Sequence, residues 1–192
     1  MKQIDPMDIE ELTAELEKEH ASSFGWALSC CRRDRTEAEE VLQTVYLKIL
    51  QGKARFRGEA SFKTWMFAVI RKTAATEYRK SFLRKLRLAS NPGPTERIAL
   101  EEGPTTTFEK SEAQKRFQLA LDQLPARQRE TLHLVFYEDL SLREAAEVMG
   151  VSIGSARQHY ERGKKHLREF LEQTEGTYGI DWRRKENPGT VS

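Results

Sequence analysis

The chain has 192 residues, 38% hydrophobic and 32% charged, with a formal net charge of only +2. That length suits one large domain or two small, surface-rich ones, and the total charge does not by itself announce a nucleic-acid partner. No apolar run approaches the roughly 20 residues of a membrane span, and the acidic N-terminus does not read as a signal peptide.

The distribution of charge says more than its sum. Residues 1–40 hold eleven acidic and five basic side chains, whereas residues 71–87 hold seven basic side chains against Glu77 alone. Such asymmetry implies one basic and one acidic partner. Cys30 and Cys31 are adjacent, leave neighbouring helical positions in different directions and are poor partners for each other, so no disulfide framework is expected. Cysteines of this kind fit a reducing cytoplasm and plain burial.

In chain order, nearly every periodic stretch reads as helix. From Glu37 the segment "EAEEVLQTVYLKIL" repeats apolar residues at Val41, Leu42, Val45, Tyr46, Ile49 and Leu50, a helical spacing that Gly52 ends. The polar "GKARFRGEAS" leads to Ser61, an expected N-cap. The next helix runs from about Phe62 towards Arg84, with Trp65, Val69 and either Ala68 or Ile70 facing inward. With residues 8–33 these segments form a helical domain over 1–88. Residues 89–108, with Pro92, Gly93, Pro94, Gly103 and Pro104, read as a linker. A second helical domain spans 109–173: Leu119, Leu121 and Leu124, then Pro125 at a helix start, then Leu132, Leu134, Val135 and Phe136. The tail over 174–192 reads as disordered. The fold class is all-α, two small helical domains joined by a flexible linker.

Within the second domain, Ser141 and Glu144 form a capping box for a helix carrying the small residues Ala145 and Ala146. Gly150 can end that helix in the left-handed conformation, Val151 can plug the core, and Ser152 caps the next helix. On that helix Ala156, Tyr160, Gly163 and Leu167 fall on one buried stripe. Ser155, Arg157, Gln158, Glu161, Arg162, Lys164 and Lys165 lie off it. This is the pattern of a helix-turn-helix, whose second helix enters the major groove. Arg157 suits guanine and Gln158 adenine, while Arg162, Lys164, Lys165 and Arg168 suit phosphates.

The segment "LPARQRETLHLVFYEDLSLREAAEVMGVSIGSARQHYERGKKHLRE" resembles the C-terminal region of extracytoplasmic-function (group four) sigma factors of bacterial RNA polymerase, in the sigma-70 family. Leu124, Pro125, Gln128, Arg129 and Glu130 carry one part of the family pattern, Ala145, Ala146 and Glu147 a second, and Gly150, Ser152, Gly154, Ser155 and Arg157 a third. The family usually has Lys-Ser-Arg where this chain has Arg157, Gln158 and His159, so no relative's promoter preference carries over.

The N-terminal domain resembles the same family independently. "TEAEEVLQTVYLKIL" is similar to the helix that docks on the β′ coiled coil of the polymerase. The resemblance implies a core-binding face of Glu37, Glu40, Val41, Gln43 and Leu47, with Thr44 standing where the family often has Glu. "FRGEASFKTWMFAVIRKTAATEYRK" is similar to the stretch that melts the promoter and holds a flipped base. Phe56 and Arg57 then become candidates for stacking and backbone contact, and Lys63, Arg71, Lys72, Arg79 and Lys80 for lining the strand. Lys72 stands where relatives often carry Asn and favours phosphate contact over reading of base edges.

The resemblance thus implies a sigma region 2-like domain that binds core polymerase and opens the −10 element. It also implies a region 4-like domain that reads the −35 element through Ser152, Ser155, Arg157, Gln158, His159, Arg162, Lys164 and Lys165. Implied partners are core polymerase (β′ coiled coil and β flap), promoter DNA and an anti-sigma factor, with no membrane insertion. Catalysis would belong to the polymerase. His20, His133, His159 and His166 lack Cys or His companions at ligand spacing, and no phosphate loop or nucleophile triad is visible, so no metal, cofactor or enzymatic activity is expected. Two alternatives are a stand-alone helix-turn-helix regulator, against which the "EAEEVLQ" and "FRGEASFKTW" segments argue, and a sigma-like decoy that binds an anti-sigma factor without reading DNA.

Overall fold

The computed structural model describes residues 8–89, 117 and 119–178. Most of the expected linker, 90–108, and the tail from residue 179 lie outside them. Among the described residues the structure is all-helical, with seven helices and a short helical stretch over 119–122. They are α1 Ile9–Lys18, α2 His20–Cys30, α3 Arg35–Leu50, α4 Phe62–Ala89, α5 Ala126–Phe136, α6 Leu142–Met149 and α7 Ile153–Tyr178.

The helix boundaries follow local chemistry. Asp8 caps α1 by accepting from the backbone N–H groups of Glu10 and Glu11 at 2.7 and 2.9 Å. Glu10 and Glu11 in its first turn and Lys18 in its last complement the helix dipole. Asp34 caps α3 by accepting from Glu37 N at 2.9 Å. The hydroxyl of Ser61 accepts from Thr64 N at 3.1 Å at the start of α4, as the sequence predicts. Between α2 and α3 the chain turns through Arg32 and Arg33, both left-handed at φ 52° and 68°, a conformation unusual for residues with a Cβ.

α2, α3 and α4 bury Trp26, Ala38, Val41, Val45, Met66, Phe67 and Ile70 against one another. On α4 the fully buried apolar positions are Met66, Phe67 and Ile70, whereas Trp65 and Val69 are only partly buried at the margin. Trp26 of α2 fills the centre instead: its indole N–H donates to Phe67 O at 3.0 Å. Periodicity misses it because α2 carries small residues and no strong amphipathic stripe.

The core does not stop at the end of the first half. Leu134, Leu140, Ala145, Val148 and Met149, from α5, α6 and the turn between them, belong to the same continuous cluster as Trp26 and Phe67. A second cluster of Ala120, Leu121, Leu124, Leu132 and Leu167 joins α5 to α7, with Phe117, Tyr160, Phe170 and Leu171 around it. α7 continues to Tyr178, so the chain is helical beyond the residue-173 boundary expected from sequence.

The α5–α7 crossing is tight at residue 163, where glycine leaves room for α5. A Cβ there would stand 3.1 Å from Leu132 Cδ1 and 3.3 Å from Gln128 Cβ, and both neighbours are buried. Gly163→Leu is expected to cost about 1–3 kcal/mol by overpacking, despite the gain in helix propensity, and urea unfolding followed by circular dichroism measures it.

Candidate nucleic-acid interface

The second half presents a helix-turn-helix whose geometry is fixed by local bonds. Ser141 N and Oγ donate to Glu144 Oε2 at 2.9 and 2.7 Å, and Glu144 N donates to Ser141 Oγ at 3.3 Å, completing the capping box. These bonds from Ser141 hold the Glu144 carboxyl below its ordinary range. At the other end of α6, Gly150 is left-handed (φ 63°, ψ 41°) and Val151 N donates back to Ala146 O at 3.0 Å. Val151 is half-buried against the core. Ser152 then caps α7, accepting from Ser155 N at 3.1 Å, with the two hydroxyls 2.9 Å apart.

On α7, Ala156, Gly163 and Leu167 are buried and Tyr160 is half-buried, so the stripe expected from sequence is the packed side. Arg157, Gln158, Arg162 and Lys165 are exposed together on the opposite side. Lys164 is tied down, with Nζ 3.4 Å from Glu161 and 4.8 Å from the Tyr160 ring centroid. His159 is half-buried and lies close enough to Glu130 of α5 to favour that carboxylate. It is less exposed than its neighbours Arg157 and Gln158.

The first half carries two further faces. On α3, Glu37, Glu40 and Gln43 are exposed and Leu47 retains 52% of its surface. Val41, grouped with them from sequence, is 2% exposed and belongs to the core; it supports the face from beneath and cannot touch a partner. A hollow of about 400 Å³ beside this crest is lined by His20, Phe24, Leu42, Gln43 and Tyr46 among others, and His20 Nδ1 lies 3.0 Å from the Tyr46 hydroxyl.

The α4 face is more divided than the sequence implies. Phe56 packs edge-on to Phe62 and beside Trp65, with centroids 5.5 and 5.4 Å away, so it is a half-buried member of an aromatic cluster. Arg57, Lys72, Arg79 and Lys80 are exposed, with Lys80 2.8 Å from Glu77. Lys63 and Arg71 are not free: Lys63 Nζ lies 3.1 Å from Glu138 Oε2, and Arg71 Nε lies 3.2 Å from Glu130 Oε2. Arg33 and Asp122 form a third pair between the halves at 3.2 Å. Sequence spacing gives no sign of these pairs, because the partners stand far apart in the chain.

Burial sets the chemistry of the two thiols. It raises Cys30 well above the usual thiol range, with Glu130 adding to the effect, and pushes Cys31 up to about 12, reinforced by Glu37 and Asp34. Neither is a reactive thiolate at neutral pH. Among the described residues no group of three or more His, Cys, Asp or Glu side chains is placed to hold a metal ion, and no helix is long and apolar enough to cross a membrane.

Comparison with known proteins places these elements in a family. The family model Sigma-70 region 2 matches residues 18–82, and Sigma-70, region 4 matches residues 114–167. The ECF RNA polymerase sigma factor SigX of Bacillus subtilis (strain 168) is 28% identical over 142 residues, 73% of each chain. The ECF RNA polymerase sigma factor EcfG of Rhodopseudomonas palustris (strain TIE-1) is 27% identical over 144 residues, 70% of this chain and 71% of that one. Among solved structures, the sigma factor RpoE in complex with the anti-sigma factor NepR from Bartonella quintana superposes with a TM-score of 0.67 at 24% identity, covering 85% of this chain and 98% of that one. CnrH in complex with the cytosolic domain of CnrY gives a TM-score of 0.58 at 18% identity, over 86% and 90% of the two chains. Both share the fold.

Ser141→Ala is expected to cost about 1 kcal/mol at neutral pH by removing the cap. A carboxyl whose folded pKa is depressed stabilises above its unfolded pKa and loses that contribution as pH falls through the folded value. The deficit of the variant should therefore shrink as Glu144 is protonated, which denaturant titrations from neutral to acidic pH measure.

Proposed function

This chain belongs to the sigma-70 family of RNA polymerase sigma factors, in its extracytoplasmic-function group, and from that premise we propose how it serves transcription initiation. The first half, residues 1–88, docks on core polymerase through the exposed crest of α3: Glu37, Glu40, Gln43 and Leu47, supported by Val41. A crest mixing carboxylates with an exposed leucine suits a partner helix that carries arginines, as the β′ coiled coil would. The α4 face then handles the −10 element, with Phe56 and Arg57 at the flipped base and Lys63, Arg71, Lys72, Arg79 and Lys80 along the strand.

The second half, residues 109–173, reads the −35 element and meets the β flap. The observation that carries this reading is the α6–turn–α7 unit, in which the packed stripe of α7 leaves Arg157, Gln158, Arg162 and Lys165 together on the open side. Arg157 and Gln158 reach base edges from the N-terminal half of the helix, as groove-reading helices do. Ser152 and Ser155 approach phosphates, and Arg162, Lys164 and Lys165 neutralise them. His159, half-buried where Arg157 and Gln158 are exposed, is the weakest base-reading candidate.

Residues 89–108 join the halves so that they can separate. The two promoter elements lie about 25 base pairs apart, roughly 85 Å of duplex at about 3.4 Å per pair, whereas a compact body of this size is about 40 Å across. Both elements can be held at once only if the halves part. Catalysis belongs to the polymerase, and the site of action is the bacterial cytoplasm. RpoE and CnrH were each captured with a protein partner, and we assign an anti-sigma factor to this chain on the same basis.

Transcription in vitro with core polymerase and a promoter library tests the reading: promoter-dependent starts are expected, and duplex binding by the free protein without such starts would overturn it. In the same assay Arg157→Ala should relax preference at one upstream position by about 1–3 kcal/mol. Lys165→Ala should weaken all sites alike and lower the salt slope by about one.

A further inference from the structure

Two cations assigned to the opened strand are already occupied by anions of the same chain. Lys63 Nζ sits 3.1 Å from Glu138 Oε2 and donates to Glu138 O at 3.0 Å. The lysine side chain is 24% exposed and that of Glu138 only 6%. Arg71 Nε sits 3.2 Å from Glu130 Oε2, with the side chains 21% and 18% exposed. Glu144 at the start of α6 is a further carboxylate close to Lys63. Both cations come from α4, and both paired carboxylates come from the second half. The pairs Lys18–Glu15, Arg35–Glu39 and Lys80–Glu77 instead lie within one helix and are well exposed, where an ion pair is worth about 0–1 kcal/mol.

Each carboxylate also has a further polar neighbour. Glu138 Oε1 lies 3.3 Å from His133 Nε2, and the His133 ring is packed between Trp26 and Tyr137 at centroid distances of 5.3 and 5.2 Å. Glu130 is braced by Arg127 as well, at 3.4 Å. Adhesion between two halves does not require buried ions, since well-packed apolar residues serve as well or better. The cations, however, are needed for a nucleic-acid backbone, and closing over an unpaired Lys or Arg would bury an uncompensated charge. A carboxylate opposite each cation meets both demands.

To Lys or Arg, a carboxylate and a phosphodiester present the same feature, an anionic oxygen at hydrogen-bonding distance. We infer that Glu130 and Glu138 act as built-in phosphate mimics: in the closed chain they occupy Arg71 and Lys63, keep α4 from single-stranded DNA, and release it only when the halves part. This autoinhibitory contact deepens the proposed function and rests on its assignment of α4 to the opened strand.

The test uses the full chain without polymerase and a fluorescent single-stranded oligonucleotide, followed by anisotropy at low salt. Glu130→Gln with Glu138→Gln frees two cations, each worth about one released counterion, and is expected to bind about tenfold tighter than the parent. Adding Lys63→Gln and Arg71→Gln should return binding to the parental level. No gain in the double variant overturns the mimicry, as does a gain that survives removal of both cations. If the double variant loses helicity, Glu130→Gln alone, which leaves the Lys63–Glu138 pair intact, should still gain about threefold, and its failure to gain is equally decisive. These failures leave promoter-dependent transcription by the parent with core polymerase untouched, whereas failure of the sigma reading abolishes it.

Discussion

The indole of Trp26 lies between the Phe67 ring of α4 and the His133 ring of α5, at 5.9 and 5.3 Å, with its N–H bonded to the Phe67 carbonyl. That sandwich joins the two halves of the chain. Apolar residues of both halves close around it in one cluster, and the ion pairs Lys63–Glu138 and Arg71–Glu130 flank it. Apolar contact supplies the adhesion, since burying one such side chain contributes roughly 1.5–3 kcal/mol. The ion pairs set the register of one half on the other and decide which groups of α4 remain available.

The closed arrangement separates the functional faces into two kinds. The α3 crest and the exposed side of α7 stay open to solvent, so under the proposed assignment polymerase and upstream duplex are met without rearrangement. The α4 face is partly shut, because the cations that would follow the melted strand are spent on Glu130 and Glu138. Under the proposed assignment this division implies an order of events: docking on polymerase first, separation of the halves second, and capture of the opened strand last. Polymerase need only bind the open form better than the closed one; inverting a 1:99 population takes about 5.5 kcal/mol of preference. The seam that must open consists of the apolar cluster around the aromatic sandwich and three ion pairs, Lys63–Glu138, Arg71–Glu130 and Arg33–Asp122.

How much of this was legible in the sequence depended on the range of the interaction. The Ser61 and Ser141 caps, the Gly150 turn and the Ser152 cap act over three or four residues, and each stands where the sequence predicts it. The packed stripe of α7 was legible for the same reason, since helical period alone sorts Ala156, Gly163 and Leu167 from Arg157 and Gln158. Lys63–Glu138 and Arg71–Glu130 join residues 75 and 59 positions apart, and neither spacing nor charge pattern carries that information. Trp26 escaped because α2 has no strong apolar stripe to mark its inner side. Val41 was misplaced because a core position and a docking position lie on adjacent sides of the same helix. His159 follows Arg157 and Gln158 in sequence but is half-buried where they are exposed, a difference that adjacency alone does not reveal.

The closed free chain is tested most directly by a distance. Spin labels on Gln43→Cys in α3 and Lys165→Cys in α7 occupy exposed positions, and the native thiols, Cys30 half-buried and raised well above the thiol range and Cys31 buried and pushed up to about 12, react slowly beside them. Double electron–electron resonance should give one narrow, short distance in the free protein and a longer one after core polymerase is added. A broad, long distribution in the free chain, or a short distance unchanged by polymerase, would contradict a factor that is closed alone and opened by its partner.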